Sequence, residues 1–262
     1  MDKVALSGAN RGSFGFLFTI SQGRQSKNRV QSVLPNLTLV TLQPPDKTAD
    51  KMRGDTLSDA TAGVVVRMAE VQDCPAILDI YSYYIEQTAI TLFSRIPSVE
   101  DFARTMMNIR QYYPYLVCCV NGTVVGFAHA FYTNPHEAYC WNAELNVYIK
   151  SEYHGRGIAT ALYTALFQIL KAQGYCSLYA AITLPSEASI ALHKHFGFKE
   201  MYIQEAIGYK LGEWRDVLWM GRRIEGAADP ELHGPPLLIS DVNKNDIDTA
   251  LAMASTLLTG VR

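Results

Sequence analysis

No early apolar run in this sequence approaches the roughly 20 residues that a membrane-spanning helix needs; the longest, from Phe14 to Ile20, is far too short, so no membrane span is expected. Charge is also scarce. Charged residues make up 18% of the chain and the formal net charge is −2, which excludes a surface built to coat nucleic acid or another polyanion. Cysteine pairing is the third absence. Cys74, Cys118, Cys119, Cys140 and Cys176 contain no CxxC and no Cys/His ligand spacing, so no metal site is expected. Their odd number, without a secretory signal, implies reduced thiols and a cytoplasmic protein. No internal repeat is present.

What remains is a chain of 262 residues with 48% hydrophobic content, enough for one domain of ordinary size plus extensions. Residues 1–62 are rich in Gly, Ser, Asn and Gln, with Asp2 the one acid before Pro45. A basic, acid-poor start is the composition of a transit peptide. The absence of a sustained amphipathic period favours an appended or poorly ordered extension instead. The texture changes at Val64, where "VVVRMA" reads as a strand. "DCPAILDIYSYYIEQ" follows as a helix, with Asp73 at its N-cap and Pro75 in its first turn. A second helix is expected over "SVEDFARTMMNIRQYY", where Ser98 and Asp101 form a capping box. Asn121-Gly122 between "YLVCCV" and "TVVGFAHAFY" predicts a hairpin, since both residues tolerate positive φ.

"NAELNVYI" alternates. Ala143, Leu145, Val147 and Ile149 share one face, and Asn142, Glu144, Asn146 and Tyr148 share the other, which is expected to line something polar. A helix with apolar residues at Ile158, Leu162, Leu166, Ile169 and Leu170 follows and stops at Gly174. "CSLYAAI" is a strand, "SEASIALHKHF" a short helix capped by Ser186, and two further strand-like runs reach Ile224. The order is mixed α/β, with several antiparallel strands before one helical crossover. Beyond it lie a Gly- and Pro-rich linker and an amphipathic tail helix, within residues 225–262.

The stretch "VYIKSEYHGRGIATALYTAL" runs from a strand through Gly155 and Gly157 into a helix. Glycines there let main-chain amides approach a ligand, and a helix start offers unpaired N–H groups and a positive dipole end. Without a ligand, the same turn is simply a tight connection. A P-loop is excluded because its lysine and spacing are missing. A dinucleotide fingerprint is excluded because Thr160 stands where its third glycine belongs and no acidic residue follows at the right distance.

His154-Gly155-Arg156-Gly157-Ile158-Ala159 resembles the Q/R-x-x-G-x-G/A pyrophosphate loop of the GNAT acetyltransferases. "AYCWNAELNVYI", "LPSEASIALHKHFGF" and "GYKLGEWRDVLWM" are together similar to the phosphinothricin and methionine sulfoximine acetyltransferase subgroup, over about residues 64–224. The resemblance implies an α/β (α+β) GNAT fold over residues 63–224, with a mixed, mostly antiparallel sheet flanked by helices. It implies acetyl-CoA as cosubstrate, a small-molecule amine as acceptor and a homodimer. Val147, Tyr148 and Ile149 are then expected along the pantetheine arm. Gly155, Arg156, Gly157, Ile158, Ala159 and Thr160 are expected at the pyrophosphate, and Ser186 at the cofactor where relatives often carry Asn. His154 occupies the place of the family's usual Arg or Gln.

A protonated amine has no lone pair, so acetyl transfer requires a base. Glu144 matches the family's functional glutamate. The backbone of Val147 is the family-like oxyanion donor, and His193 stands where many GNAT enzymes have a tyrosine; acid, substrate ligand and structural residue are all open to it. The resemblance places Asn134, Pro135, His136, Leu145 and Asn146 beside the acceptor with Glu144 and His193. Cys140 replaces a frequent arginine, so a charged fork for an acceptor carboxylate is missing, and Arg95, Arg104 or a partner subunit is left to supply it. Tyr81, Tyr83 and Tyr84 border the acceptor cleft in this reading, with core packing expected for two of them. His193 and His195 diverge on their helix and form no metal pair. Amino-acid acceptors are the first reading. A polyamine or a peptide N-terminus, or a non-catalytic acyl-CoA-binding module, are the alternatives.

Overall fold

The computed structural model describes residues 63–134, 136–227 and 234–259. The readings made for residues 1–62, and for Pro135, lie outside them. Seven strands form one sheet in the order β1-β2-β3-β4-β5-β7-β6. In chain order these are β1 (Val64–Met68), β2 (Tyr115–Val120), β3 (Thr123–Phe131), β4 (Asn142–Ile149), β5 (Ser177–Thr183), β6 (Lys199–Lys210) and β7 (Glu213–Arg223). Every pairing is antiparallel except β4 with β5. Parallel neighbours cannot be joined by a tight turn. Helix α3 (Ile158–Gln173) makes that crossover.

The β2–β3 turn has the expected form, with Asn121 at φ 49° and Gly122 at φ 79°. Helix α1 (Cys74–Gln87) also starts where its sequence predicts, but the Asp73 carboxylate does not cap it. It accepts from the two terminal guanidinium nitrogens of Arg67 at 2.7 and 2.8 Å and from the Glu70 amide at 2.7 Å. Burial works to raise the Asp73 pKa, yet these three donors outweigh it and hold the carboxyl below its ordinary range. Helix α2 (Val99–Tyr112) is capped as expected, the Ser98 hydroxyl accepting from the Asp101 amide at 3.1 Å.

At β2 both faces of the sheet are covered, which is why this strand reads as an unbroken apolar run and is buried throughout. Leu116, Cys118 and Val120 join Leu145 and the inner face of α3 in one core, while Tyr115, Val117 and Cys119 join Phe127, Tyr148 and the α1–α2 layer in another. Helix α5 (Lys244–Thr256) belongs to the α3 side, with Ala250 and Ala254 buried there. Its Ser255 hydroxyl accepts from the Val66 amide of edge strand β1 at 2.9 Å. No helix among the described residues is long and apolar enough to cross a membrane.

Candidate active site

The site begins where two strands stop pairing. β4 and β5 are in register only at Asn142/Ser177, Ala143/Leu178 and Glu144/Tyr179. Beyond Glu144, β4 pairs with β3 alone and β5 with β7 alone, so a wedge-shaped gap opens between them. The direction of the amides in that gap follows from strand geometry. The Lys150 amide bonds to the Val125 carbonyl of β3 at 2.8 Å. Amides alternate sides along a strand, so those of Tyr148, Asn146 and Glu144 face β3 as well. Those of Leu145, Val147 and Ile149 therefore face the gap.

The gap ends at the glycine turn. Gly155 at φ 73° and Gly157 at φ 78° sit in the left-handed region that glycine adopts without strain. A Cβ added at Gly155 would meet nothing within 4 Å. The first helical hydrogen bond of α3 runs from the Ala161 amide to the Gly157 carbonyl at 3.0 Å. The amides of Ile158, Ala159 and Thr160 thus precede the helical ladder and point out of its positive end, a donor set that suits the diphosphate of coenzyme A. The side chain of Arg156 lies elsewhere, over the Tyr153 ring at 4.9 Å with a bond to the Glu152 carbonyl at 2.9 Å. His154 turns its ring to the body of the fold, with Nε2 2.9 Å from the Tyr84 hydroxyl and 3.0 Å from the Ile149 carbonyl. It thereby ties the loop to α1 and to the end of β4.

Glu144 lies beside the last paired residues of the wedge. The face it shares with Asn142, Asn146 and Tyr148 is divided: the two asparagines are half-buried, while Glu144 and Tyr148 are buried, Tyr148 against the α1 rings of Tyr81 and Tyr84. Glu144 is 5% and Tyr148 8% exposed. No hydrogen-bond partner among the described residues reaches the Glu144 Oε2 atom. Burial pushes its carboxyl pKa up to about 8. A carboxyl raised this far holds a proton more strongly than an ordinary one, as a group that takes a proton from an ammonium must.

One cavity in the wedge gathers Leu145, Asn146, Val147, Tyr148, Ser186 and His193 from the expected set, together with Ile90 and Tyr163. Helix α4 (Glu187–His195) brings His193 there, although Ser186 at its start makes no capping bond through its side chain. His193 has both ring nitrogens engaged. Nδ1 is 2.7 Å from the Ser189 carbonyl, which can only accept, so Nδ1 carries the proton. Burial lowers its pKa, the Ser189 bond opposing, and the ring is neutral. Nε2 is then an acceptor for the Tyr163 hydroxyl at 3.2 Å. A tyrosine does enter the gap, from α3 rather than from α4. Asn134 and His136 are not in the cavity; they sit on the loop after β3, where the Asn134 side chain accepts from the His136 amide at 3.0 Å. Arg95 is exposed, and Arg104 is paired in solvent with Asp101 at 2.8 Å. A larger cavity of about 280 Å³ lies away from the wedge, between α3 and the end of β7, and holds none of the expected residues.

Two residues were not read from the sequence. Tyr163 sits within the apolar stripe of α3 and looks like core until the α4 histidine is brought against it. His129 stands opposite Asn146, on the face of Glu144, and stacks on Tyr115 at 4.5 Å. Its Nδ1 has no partner among the described residues, and burial pulls its pKa down to about 4. Only the strand register reveals it, since alternation alone does not say which face of β3 meets which face of β4. Among Tyr81, Tyr83 and Tyr84, the last is buried, the second is 48% exposed and the first packs at a tilt against Tyr148, the ring centroids 4.9 Å apart.

Comparison with known proteins fits this geometry. The family model described as an acetyltransferase (GNAT) domain matches residues 66–219. The chain is 33% identical over 167 residues to a phosphinothricin N-acetyltransferase of Streptomyces viridochromogenes, spanning 64% of this chain and 91% of that protein. It is 33% identical over 162 residues to an L-methionine sulfoximine/L-methionine sulfone acetyltransferase of Pseudomonas aeruginosa, spanning 61% of this chain and 94% of that one. Among solved structures, a phosphinothricin acetyltransferase from Sinorhizobium meliloti in complex with AcCoA superposes with a TM-score of 0.62 at 28% identity, covering 70% of this chain and 96% of that chain.

Proposed function

Since the chain belongs to the GNAT acetyltransferase family and is an acetyl-CoA-dependent N-acetyltransferase, we propose that its acceptor is the primary amine of a small amino-acid-like molecule of the phosphinothricin or methionine sulfoximine/sulfone type. The observation that carries acetyl transfer is the wedge between β4 and β5, with a buried carboxyl at its apex and helix-start amides at its mouth, and the acceptor class rests on the likeness to the phosphinothricin and methionine sulfoximine/sulfone acetyltransferases.

Acetyl-CoA lies in the wedge in this reading. The Ile158, Ala159 and Thr160 amides hold its diphosphate, and the gap-facing backbone of β4 pairs with its pantetheine arm. Glu144 takes the proton from the acceptor ammonium, directly or through a water, and the freed nitrogen attacks the thioester carbonyl. The Val147 amide points into the gap and supports the negative charge that develops on the carbonyl oxygen. His193, neutral and bonded to Tyr163, is assigned as a positioning residue. It holds the Tyr163 hydroxyl in the wedge, where the thiolate departs.

Thiol release from acetyl-CoA tests this directly. Turnover is expected with at least one of methionine sulfone, methionine sulfoximine and phosphinothricin, and none with a polyamine. Turnover with spermidine alone would move the protein to the polyamine reading. Saturable coenzyme A binding with no turnover for any amine would make it a non-catalytic module.

The homodimer is part of the same proposal. β6 is an edge strand of twelve residues, and Ile203, Tyr209 and Trp214 on its hairpin are 52%, 63% and 65% exposed. An exposed edge with apolar side chains pairs with other chains unless covered, and a second copy offers a self-complementary patch. Light scattering is expected to give a dimer mass for the wild type and a monomer mass for Ile203→Asp combined with Trp214→Asp. A monomeric wild type at micromolar concentration would end this part of the reading.

A further inference from the structure

The segment between α1 and α2 forms the outer lip of the wedge, where Ile90 lines the cavity. Three bonds pin it. The Thr183 hydroxyl of β5 donates to the Ile90 carbonyl at 3.3 Å, the Tyr81 and Thr91 hydroxyls are 3.1 Å apart, and Lys210 Nζ donates to the Thr91 carbonyl at 2.6 Å. The lysine comes from the far side of the sheet, at the tip of the β6–β7 hairpin. Its neighbours Tyr209 and Leu211 are 63% and 55% exposed, while Lys210 itself is 7% exposed.

A buried lysine needs a reason, because lysine is almost never fully buried unless paired. Here its partners are main-chain carbonyls. Besides Thr91, Nζ reaches the Tyr84 carbonyl at 3.4 Å. Tyr84 belongs to the last turn of α1, whose carbonyls have no intrahelical donor and carry the negative end of the helix dipole. The Thr88 hydroxyl also donates to the Tyr84 carbonyl, at 2.9 Å, so the ammonium shares the end of α1 with it and fixes the chain seven residues further on. The hairpin is shaped to deliver it. Leu211 at φ 53° and Gly212 at φ 81° turn the strand back directly after Lys210. At Gly208 a Cβ would stand 2.7 Å from the Leu92 Cδ1 atom, so hairpin and lip are in close contact there.

We propose that Lys210 is a positioning residue for the acceptor: by fastening residues 88–93 it fixes the lip of the wedge against which the amine substrate is seated. Burial lowers the lysine's pKa, which agrees with an ammonium held away from water. The assignment rests on the acetyl-transfer reading for what the lip is used for, but not for the fastening itself. The two parts are therefore tested by separate measurements.

Hydrogen exchange on the full chain reads the fastening. In Lys210→Met, which keeps the alkyl stem and removes the ammonium, amides of residues 88–93 are expected to exchange about tenfold faster, with α3 unchanged. Lys210→Arg, which keeps a cationic donor, is expected to restore half or more of the protection. Unchanged exchange at 88–93, or an equal rise throughout α3, would refute the role. Lys210→Gln keeps one donor for Thr91 and serves if the methionine variant does not fold; it is expected to give the same pattern with smaller amplitude.

Steady-state kinetics with whichever of methionine sulfone, methionine sulfoximine and phosphinothricin turns over fastest read the seating. The acceptor KM is expected to rise about tenfold in Lys210→Met, with the acetyl-CoA KM and kcat within about twofold of wild type. Equal increases in both KM values, or none in either, would overturn it, since a merely structural lysine has no reason to separate the two substrates. A wild type inactive toward methionine sulfone, methionine sulfoximine and phosphinothricin alike would count against the proposed acceptor class, while the exchange result would still decide the fastening.

Discussion

Glu144→Gln is expected to lower kcat by about 100-fold or more at neutral pH, the loss that accompanies removal of a general base. The substitution keeps shape and volume in a site where Glu144 is 5% exposed, so binding of acetyl-CoA is expected to survive it. The wild-type pH profile gives an independent measurement. A base works only when deprotonated, and burial raises this carboxyl to about 8. The rate at low acceptor concentration is therefore expected to climb with pH through about 8 rather than through the ordinary carboxylate range, and to flatten above it.

The same shift has a consequence for stability with a defined sign. Between the ordinary carboxylate value and about 8, the folded chain holds one proton at Glu144 that the unfolded chain has lost. Stability then falls as pH rises across that window, by about 1.4 kcal/mol per pH unit for a single group. Glu144→Gln removes that slope, so the variant is expected to be more stable than wild type at pH 8 to 9 and similar to it near pH 4. Urea melts across this range check it. A glutamine variant with wild-type rates, or a wild-type profile that rises near pH 5, would take Glu144 out of the reaction.

Gly157→Val is expected to weaken coenzyme A binding by about tenfold or more by calorimetry. Gly157 lies at φ 78°, immediately before the three amides that precede the α3 ladder. A β-branched residue is strained in the left-handed region by roughly 1–2 kcal/mol. It relieves that strain by rotating the peptide that aims those amides. Some loss of stability is unavoidable, so a control is needed. Gly122 has nearly the same φ, 79°, at the tip of the β2–β3 hairpin, and a Cβ there would meet nothing within 4 Å. Gly122→Val is expected to lower the melting temperature comparably and leave coenzyme A affinity unchanged. Equal affinity losses in the two variants would mean that the glycine loop has no special part in binding.

Much of this was legible because it is local in the chain. The Asn121-Gly122 turn, the stripe from Ile158 to Leu170 and the glycines that open and close α3 depend on backbone preferences within a few residues, and each appears where the sequence puts it. The alternation of β4 correctly put Glu144, Asn146 and Tyr148 on one face. It could not say how deeply each residue of that face is buried: Asn146 lines the cavity, Tyr148 lies behind the α1 aromatics, and Glu144 is buried. Asp73 occupies the expected cap position, but Arg67, six residues earlier, captures its carboxylate.

The sequence by itself determined the succession of strands and helices along the chain and the glycine turn. These follow from side-chain spacing and from the φ values that each residue tolerates. The tertiary structure alone decided that β4 and β5 part after Glu144, that His193 accepts from Tyr163, and that His129 and Lys210 are brought into or beside the site. Burial, register and hydrogen-bond partnership are properties of pairs of elements distant in the chain. A carboxyl pKa near 8 belongs to Glu144 because the packed layers remove it from water, and no residue beside it in the sequence carries that information.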